Sequence, residues 1–339
     1  MATILAIETS CDETAAAVYD DEKGIISSSV FSQIDHHKYF GGVVPEIASR
    51  SQLEKINGIV QSALDDANLS VDNIDAVAVT NKPGLPGSLL VGICFAKSLA
   101  WAKEKTLIGI NHLEAHAFSA LLEHNVPFPF ICLTASGGHT SLYLIKGLGD
   151  YEILGQTLDD ASGEAFDKIA KVLNYPYPGG PMIEKLAAAV DFKDFFNYPR
   201  GKNKTINFSF SGLKTAVMYD LVKKGAYDMH KKQFLKDKDL RLKQEVASSL
   251  LVCITDIFKQ KLDMALKKHP NIKAITMVGG VACNKYIKKE LHDFCEKKSL
   301  QFVAPSPKYC TDNAAMIAFV AAYKLKQGKC SDIYLDIFE

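Results

Sequence analysis

Two histidines, His112 and His116, stand four residues apart in the stretch NHLEAH at residues 111–116. On a helix this spacing stacks two side chains on one face, and two imidazoles in that position can bind one divalent metal. The apolar run before them, residues 106–110, predicts a short buried strand, so the pair would lie at a strand's carboxyl end, where ligands collect in open α/β sheets. The spacing also fits two half-exposed histidines on an amphipathic helix. Glu114 follows His112 by two residues, unlike the HExxH pattern of zinc proteases.

Two polar turns follow predicted strands directly. Residues 10–14 (SCDET) come after the apolar run 3–8, and residues 136–140 (SGGHT) come after the apolar run 128–134. Glycine lets a backbone approach a phosphate closely, and the exposed N–H groups and hydroxyls can donate to it. Two such turns at comparable places favour a bound nucleotide, although an ordinary hairpin turn also explains the glycine pair.

Two further glycine pairs lie in loops. Gly279 and Gly280 stand between an apolar strand and the amino terminus of a helix, an end that attracts phosphate. Asn284, at the same place, offers a paired donor and acceptor for an adenine edge. The loop PGGP at residues 178–181 would let a sugar or a ring lie against its backbone. Taken alone, each loop is better explained as a tight turn.

Carboxylates cluster in residues 158–168 and recur at Asp312. Asp160, Glu164 and Asp167 share one helical face, where they repel one another unless a cation or hydroxyl donors lie opposite. The hydroxyls of a ribose or a magnesium ion would relieve this repulsion. The carboxylates could equally lie in solvent on the first turn of a helix, where the helix dipole favours negative charge. Asp312 opens an apolar helix, so it is either a helix cap or the third ligand of a His-His-Asp metal site with open positions.

Composition describes an ordinary globular protein. The chain has 339 residues, of which 47% are apolar and 23% charged, enough for two lobes with their own cores. Net charge is zero, so nucleic-acid binding must depend on a local patch or on a partner. The eight cysteines contain no CxxC pair, which fits reduced thiols. No signal peptide or membrane-spanning run is predicted, and we expect a cytoplasmic protein.

The elements that must position these residues repeat along the chain. Each half is predicted to run three strands, helix, strand, helix, strand, helix. This order predicts an α/β fold with two similar lobes and a ligand cleft between them, as in the actin, hexokinase and heat-shock-protein ATPase superfamily. We assign residues 1–126 to the amino-terminal lobe and 127–327 to the carboxy-terminal lobe, with an insertion at about 174–240. Residues 328–339 form a tail.

Nine motifs in order make the chain resemble the tRNA N6-adenosine threonylcarbamoyltransferase family, whose members were once labelled O-sialoglycoprotein endopeptidases. The motifs are residues 7–14 (IETSCDET), 45–50 (PEIASR), 111–116 (NHLEAH), 136–140 (SGGHT), 163–168 (GEAFDK), 177–181 (YPGGP), 208–215 (FSFSGLKT), 279–284 (GGVACN) and 310–318 (CTDNAAMIA). The resemblance implies transfer of a threonylcarbamoyl group from threonylcarbamoyl-AMP to N6 of adenosine 37, in tRNAs that read codons beginning with adenine.

The resemblance also implies roles for individual residues. One Fe²⁺ per subunit, or zinc in some preparations, would be bound by His112, His116 and Asp312. The adenylate would be bound by Thr134, Ala135, Ser136, Gly137, Gly138, Asp167, Gly180 and Asn284. Among the nearby carboxylates, we choose Glu13 to accept the proton from N6.

Three places depart from the family pattern. Gln52 stands where the family usually has histidine, and Lys82 stands where it has a second glycine. The tail at residues 334–339 lacks the usual basic ending with Trp-Pro. None of these departures touches the proposed metal or adenylate positions.

The residue types also allow two other functions. A metalloprotease would need a general base beside the histidines, and Glu114 is displaced from the usual place. The fold alone would equally allow a phosphotransferase or a nucleotide-gated binding protein.

The resemblance implies partners as well as a substrate. We expect a non-catalytic paralogue and a small ATPase in one complex, a threonylcarbamoyl-AMP synthase upstream, and no membrane. A basic stretch is the predicted contact with the tRNA, because phosphates dominate such affinities. Its residues are Arg200, Lys202, Lys204, Lys223, Lys224, Lys231, Lys232, Lys236, Lys238, Arg241 and Lys243. A solvated surface is the other explanation for this charge run.

Overall fold

The computed structural model describes residues 2–201 and 205–337, with strands and helices numbered in chain order. The strands are β1 (Thr3–Glu8), β2 (Glu13–Asp20), β3 (Gly24–Ser32), β4 (Ala76–Lys82), β5 (Thr106–Asn111), β6 (Phe130–Ala135), β7 (Thr140–Gly147), β8 (Asp150–Gln156), β9 (Tyr227–Asp228), β10 (Gln233–Phe234), β11 (Ala274–Val278) and β12 (Gln301–Val303). The helices are α1 (Ile34–His37), α2 (Pro45–Asp66), α3 (Pro86–Ala102), α4 (His112–Phe118), α5 (Ser162–Val172), α6 (Gly179–Ala188), α7 (Ser211–Lys223), α8 (Leu240–Lys268), α9 (Lys285–Glu296), α10 (Pro307–Cys310) and α11 (Ala314–Lys326). Lys202, Lys204 and the end of the tail, Phe338 and Glu339, lie outside the described residues.

Two mixed sheets of five strands each form in the described part of the chain, and they share one topology. Their strand orders are β3-β2-β1-β4-β5 and β12-β11-β6-β7-β8. In the first sheet β1 pairs antiparallel with β2 and parallel with β4, and in the second β6 pairs antiparallel with β7 and parallel with β11. The repeated order predicted from the sequence is therefore confirmed as an α/β fold.

The chain divides into two compact units. Unit 1 comprises Met1–Asn125 and Pro305–Glu339, and unit 2 comprises Val126–Ala304. The sequence-based assignment put residues 305–327 in the second lobe, but α11 packs against β1 and β2 of unit 1. The physical reason is that most of α11 is buried, so it needs a sheet face to cover it, and the first sheet provides that face.

The core of unit 1 places a carboxylate at the end of its central strand. Strand β1 is apolar and almost fully buried up to Ile7, and then ends in the equally buried Glu8. A short turn follows before β2 begins at Glu13. Helix α2 begins with Pro45 in its first turn, where the missing N–H would have no helical partner, and packs against β2 and β3. Sheet and helix therefore enclose the turn after Glu8.

The insertion predicted at about 174–240 contains elements that its mixed polarity did not reveal. Helices α6 and α7 and the small β9–β10 hairpin fall within it. Helix α8 then begins after Asp239, whose carboxylate accepts a hydrogen bond from the Leu242 N–H at 3.0 Å. Among residues 2–201 and 205–337, no helix combines the length and the apolar character needed to cross a membrane.

Candidate metal centre and glycine-lined turns

His112 and His116 both lie on α4, which begins directly after β5. Asn111 caps this helix, because its side-chain oxygen accepts hydrogen bonds from the N–H groups of Leu113 and Glu114 at 2.9 and 3.1 Å. The two imidazole rings are 4.6 Å apart and nearly perpendicular. Their residues are only 6% and 1% exposed, so they are not the half-exposed surface histidines that the spacing also allowed.

Asp312 completes the cluster from the loop between α10 and α11. Its Oδ1 atom lies 2.9 Å from His116 Nε2 and 3.5 Å from His112 Nε2. One ligand atom from each of the three residues lies within 4.8 Å of the others. Asn313 is the residue that caps α11, since its side chain accepts from the Met316 N–H at 3.0 Å. The Asp312 carboxylate is therefore directed at the histidines and not at the helix end.

Glu8 orients the first histidine. Its Oε2 atom lies 3.0 Å from His112 Nδ1, and Ser10 Oγ lies 3.1 Å from the same nitrogen. The Ser10 N–H at 2.5 Å and the Thr80 hydroxyl donate to Glu8 in turn. A histidine that donates its Nδ1–H to a carboxylate keeps the Nε2 lone pair for a metal, and such outer partners are typical of metal sites. The donor set therefore fits a divalent metal with open coordination positions.

The electrostatics of the cluster favour a cation at the same point. Burial by itself lowers the pKa of His112, but the negative charges of Glu8 and Asp312 outweigh burial and raise this pKa well above its usual value. Burial raises the pKa of Asp312, yet His112 and His116 pull it well below the usual range. The pKa of Glu8 is lowered by His112 in the same way, against the effect of burial. A proton on His112 or a metal ion beside it would balance the negative charges of Glu8 and Asp312.

Glu13 lies at the start of β2, close to the same charges. Its carboxylate accepts a hydrogen bond from Ser32 Oγ at 3.2 Å. Burial, followed by the negative charges of Asp312 and Asp12, raises the pKa of Glu13 well above its usual value. A carboxylate that is costly to ionise has a raised proton affinity, which is a property of general bases.

Glu114 is engaged elsewhere. This residue is 6% exposed, and its carboxylate forms an ion pair with Lys324 at 3.2 Å. The ion pair holds the carboxylate on α11, so it does not serve as a base beside the histidines. The arrangement disfavours the metalloprotease alternative.

In unit 2, the turn after β6 is open to a ligand. The Ser136 N–H donates to the carbonyl of His139 at 2.8 Å, and the His139 N–H donates to Ser136 Oγ at 3.1 Å. Thr134 and Ala135, which precede the turn, are buried in β6. Within residues 2–201 and 205–337, a Cβ atom on Gly137 or Gly138 would meet no atom within 4 Å apart from its chain neighbours. Their exposed backbone can therefore approach a phosphate.

Two other glycines bring neighbouring segments against this turn. A Cβ atom on Gly279 would lie 2.4 Å from the Ala135 carbonyl oxygen, and its φ of +91° also favours glycine. A Cβ atom on Gly163 would lie 2.5 Å from the Ser136 carbonyl oxygen. The end of β11 and the start of α5 therefore lie against the end of β6, at the carboxyl ends of parallel strands, where ligands bind in such sheets.

The carboxylate cluster at the start of α5 and in the loop before it separates into two parts. Lys168 forms ion pairs with Asp160 at 2.6 Å and Glu164 at 3.0 Å, so these two carboxylates already have their cation. Asp167 instead accepts the Gly179 N–H at 2.6 Å, and the Gly180 N–H also donates to it. Burial raises the pKa of Asp167 to about 6 in spite of these donors. Asp167 therefore joins α5 to the first turn of α6.

Asn284 caps α9. Its side-chain oxygen accepts from the Ile287 N–H at 2.9 Å, which leaves the NH₂ group as the part that could donate to a ligand. Glu184 on α6 accepts from the N–H groups of Lys285 and Tyr286 at 2.6 and 3.1 Å. The structure thus brings the middle of α6 and the first turn of α9 together.

Sequence reasoning missed Glu8 and Gln52 as members of the unit 1 site. Both residues are fully buried, and both hydrogen-bond within the site or the turn beside it. A glutamate that ends an otherwise apolar strand needs a buried partner, because an unpaired buried charge is costly. That signal could have linked Glu8 to a histidine before the structure was known.

The sequence matches one family over most of its length. A family profile described as tRNA N6-adenosine threonylcarbamoyltransferase matches residues 24–319. The protein of that name from Thermosipho africanus (strain TCF52B) is 46% identical over 337 residues, which cover 98% of this chain and 97% of that protein. The one from Geotalea uraniireducens (strain Rf4) is 45% identical over 335 residues, which cover 98% of this chain and 94% of that protein.

Solved structures share the fold at low sequence identity. Full-length HypF, in its phosphate- and nucleotide-bound form, gives a TM-score of 0.66 at 14% identity and covers 97% of this chain and 47% of that one. ROK hexokinase from Thermus thermophilus gives a TM-score of 0.51 at 14% identity, with 96% and 100% covered. At these identities the matches show the fold alone, and they confirm the predicted fold class.

Proposed function

Because this chain is a transferase that belongs to the tRNA N6-adenosine threonylcarbamoyltransferase family, we propose that it transfers the threonylcarbamoyl group of threonylcarbamoyl-AMP to N6 of adenosine 37. The acceptors are tRNAs that read codons beginning with adenine, and AMP is released. The observation that carries the proposal is the cluster of buried His112 and His116 with the half-buried Asp312, whose ligand atoms lie within 4.8 Å of one another.

The cluster is proposed to hold one Fe²⁺, with zinc able to take its place. When bound, the metal acts as a Lewis acid toward a carbonyl or phosphate oxygen. The chain's own residues fix the geometry: His112 and His116 offer Nε2, Asp312 offers Oδ1, and Glu8 keeps His112 in the right tautomer. Three protein ligands leave room for oxygen ligands of the substrate.

The adenylate is assigned to the glycine-lined turns of unit 2. The N–H groups of Gly137 and Gly138 and the hydroxyl of Ser136, next to Thr134 and Ala135, suit the phosphate. The remaining contacts are assigned to the Asp167 carboxylate, the Gly180 backbone and the Asn284 amide. The open space around Gly137, Gly138 and Gly180 supports this assignment, since among the described residues no atom beyond each glycine's own stretch of chain lies within 4 Å of an added Cβ.

The reaction forms a bond from N6 to the carbamoyl carbon and breaks the bond from that carbon to the AMP oxygen. The amino group is a weak nucleophile, so orientation and charge stabilisation must provide much of the acceleration. N6 loses one proton, and we assign Glu13 as its acceptor. The raised pKa of Glu13 supports this role, because it makes the ionised carboxylate a better proton acceptor.

The reaction is proposed to occur in the cytoplasm, together with a non-catalytic paralogue, a small ATPase and an upstream threonylcarbamoyl-AMP synthase. The tRNA contact is assigned to the β9–β10 hairpin, where Lys231 and Lys232 are exposed. Other members of the basic stretch are engaged within the chain. These are Lys224 with Asp220, Lys243 with Asp237, Arg241 with Glu245, and Arg200 with Asp194 and Asp256.

Product analysis tests the proposal. The protein is incubated with unmodified tRNA, threonine, bicarbonate, ATP and the partner proteins, and the nucleosides are analysed by mass spectrometry. Modified adenosine with AMP released from the adenylate supports the transfer. A phosphorylated acceptor with ADP would support a phosphotransferase instead, and a cleaved peptide would support a protease.

A further inference from the structure

We propose that Gln52 is a positioning residue for the metal centre, acting through the turn that joins β1 to β2. The inference rests on the proposed function of that centre. Gln52 lies on α2, one helical turn after Ala48, and is fully buried. Its hydrogen bonds in the described part of the chain go to backbone carbonyls of residues 9–13 and not to the proposed metal ligands, so its effect is carried by that backbone.

The side-chain NH₂ group of Gln52 faces three backbone carbonyls of this turn. Its Nε2 atom lies 2.9 Å from the oxygen of Cys11, 3.0 Å from that of Glu13 and 3.4 Å from that of Thr9. Carbonyl oxygens that converge on one point repel one another unless a donor lies between them. An amide has two hydrogens for this purpose, and the two short distances account for both.

The turn held by Gln52 carries the groups that contact the cluster. Ser10 lies in it, donating its N–H to Glu8 at 2.5 Å and placing its hydroxyl 3.1 Å from His112 Nδ1. The Ser10 carbonyl accepts from the Leu85 N–H at 2.8 Å, so the turn is tied on a second side. Glu13 stands at its far end. A displaced turn would therefore loosen the bonds that orient His112.

The orientation of the Gln52 amide follows from its neighbours. A flipped amide would place an oxygen against the same carbonyls, which have no hydrogen to offer. In the arrangement found, Gln52 Oε1 is buried and has no hydrogen-bond partner among the described residues. Burying an unpaired amide oxygen costs free energy. This cost is offset only if the hydrogen bonds that the NH₂ group donates stabilise the turn.

Gln33 offers a matched control. It is also fully buried, and its Oε1 also has no partner within residues 2–201 and 205–337. Its Nε2 atom donates to the Ala48 carbonyl at 3.2 Å, so its side chain supports α2 and not the turn. Its backbone N–H donates to the Asp12 carbonyl at 3.1 Å, and this bond does not depend on the side chain. A Gln33→Met variant therefore removes an equivalent buried amide without removing the donor to the turn.

The test compares Gln52→Met with Gln33→Met in the full-length protein. Affinity for Co²⁺ alone is measured by chelator competition, and kcat and KM are measured with threonylcarbamoyl-AMP and tRNA. Gln52→Met should weaken Co²⁺ binding about 10-fold, the lower end of the range for outer partners of metal ligands. Its kcat should fall while its KM for the adenylate is unchanged. Gln33→Met should lose thermal stability but keep metal affinity and kcat.

Equal Co²⁺ affinity and kcat in the two variants would overturn the inference and leave Gln52 a purely structural residue. If Gln52→Met does not fold, Gln52→Asn decides, because its amide is one methylene shorter and no longer reaches the carbonyls of the turn. That variant should bind Co²⁺ more weakly than wild type, and wild-type affinity would overturn the inference. Failure of the wild-type protein to bind Co²⁺ would instead contradict the proposed metal centre itself.

Discussion

The cluster in unit 1 is made of ionisable side chains, whereas the turns in unit 2 are made largely of backbone. His112, His116 and Asp312 are held by hydrogen bonds and opposite charges. At Gly137 and Gly138, by contrast, no atom of the described residues beyond their chain neighbours lies within 4 Å of an added Cβ. The first site is specified by what its side chains are, and the second by the side chains that are missing. Deleting groups should therefore damage the first, and adding groups should damage the second.

Removing a metal ligand should have the largest effect. Losing a residue that only hydrogen-bonds to a metal ligand typically lowers metal affinity by about 10–100-fold. His116→Ala and Asp312→Ala each remove a ligand itself, so each should lower metal affinity by more than that and abolish tRNA modification. His112→Ala should behave in the same way. Metal content of the purified variants and nucleoside mass spectrometry check this. His124→Ala, at an exposed histidine, is the control. Full metal occupancy in the three ligand variants would remove these residues from the metal centre.

Adding a methyl group should separate two kinds of glycine in unit 2. Gly138→Ala should leave the fold intact but weaken binding of an adenylate analogue by about 1–3 kcal/mol, because the methyl group occupies ligand space. Gly279→Ala should instead destabilise the protein, because its Cβ would lie 2.4 Å from the Ala135 carbonyl oxygen. Calorimetry and thermal unfolding measure the two effects. Unchanged analogue affinity in Gly138→Ala would show that the turn does not bind the phosphate.

Asn284 tests whether a side chain contributes to the mainly backbone site. Asn284→Ala removes both the helix cap and the amide donor, and should weaken adenylate binding by about 1–3 kcal/mol while also lowering stability. Asn284→Ser keeps a capping oxygen and loses only the donor. It should bind the analogue as weakly as the alanine variant but unfold nearer to the wild-type temperature. Wild-type affinity in the serine variant would make Asn284 a cap only.

The hairpin lysines extend the comparison to the polyanionic substrate. Reversing Lys231, Lys232 and Lys236 to glutamate should weaken tRNA binding and flatten its salt dependence, while adenylate binding is unchanged. Reversing Lys267, Lys268 and Lys297 changes the net charge equally and is the control. Filter binding across a salt series measures both triple variants. If the two behave alike, the hairpin is a solvated surface and the tRNA contacts lie elsewhere.

The smallest expected effect concerns the pH dependence of stability at Asp167. Burial raises its pKa from 3.8 to about 6, so the native chain binds this proton more tightly than the unfolded chain does. The stabilisation that the Asp167 carboxyl contributes to the native state is fully present below pH 3.8 and is lost as the pH rises through about 6. Relative to Asp167→Asn, the unfolding temperature of wild type should fall over that range by several degrees, because the rise in pKa from 3.8 to about 6 corresponds to about 3 kcal/mol and about 1 kcal/mol shifts this temperature by about 2–4 °C. A constant difference would contradict the raised pKa.

The sequence predicted the regular parts of the fold well, because apolar periodicity reports burial. The apolar run of β1 and the long helix near residues 241–268 both lie where their patterns place them. Helices α6 and α7 were missed, since their segment mixes polar and apolar residues. The placement of α11 in unit 1 was also missed, because periodicity shows that a helix is buried but not which sheet covers it.

The two sites differed in how far residue types alone could predict them. The four-residue spacing identified the histidine pair, and Asp312 was named as a possible third ligand before the structure placed it 2.9 Å from His116. The partners of His112 were not predicted, because Glu8 is distant in sequence and joins it only through the sheet. In unit 2, glycine pairs pointed to the turns, but only the structure separates the open Gly138 from the crowded Gly279.

Metal dependence of the transfer tests the central claim most directly. The wild-type protein and Asp312→Ala are stripped with a chelator, then assayed with purified threonylcarbamoyl-AMP, tRNA and partner proteins, before and after Fe²⁺ or Zn²⁺ is restored. Modified adenosine, measured by nucleoside mass spectrometry, should disappear from stripped wild type and return with metal, and should not return in Asp312→Ala. Undiminished modification by the stripped wild-type protein would contradict a metal-dependent transfer at this cluster.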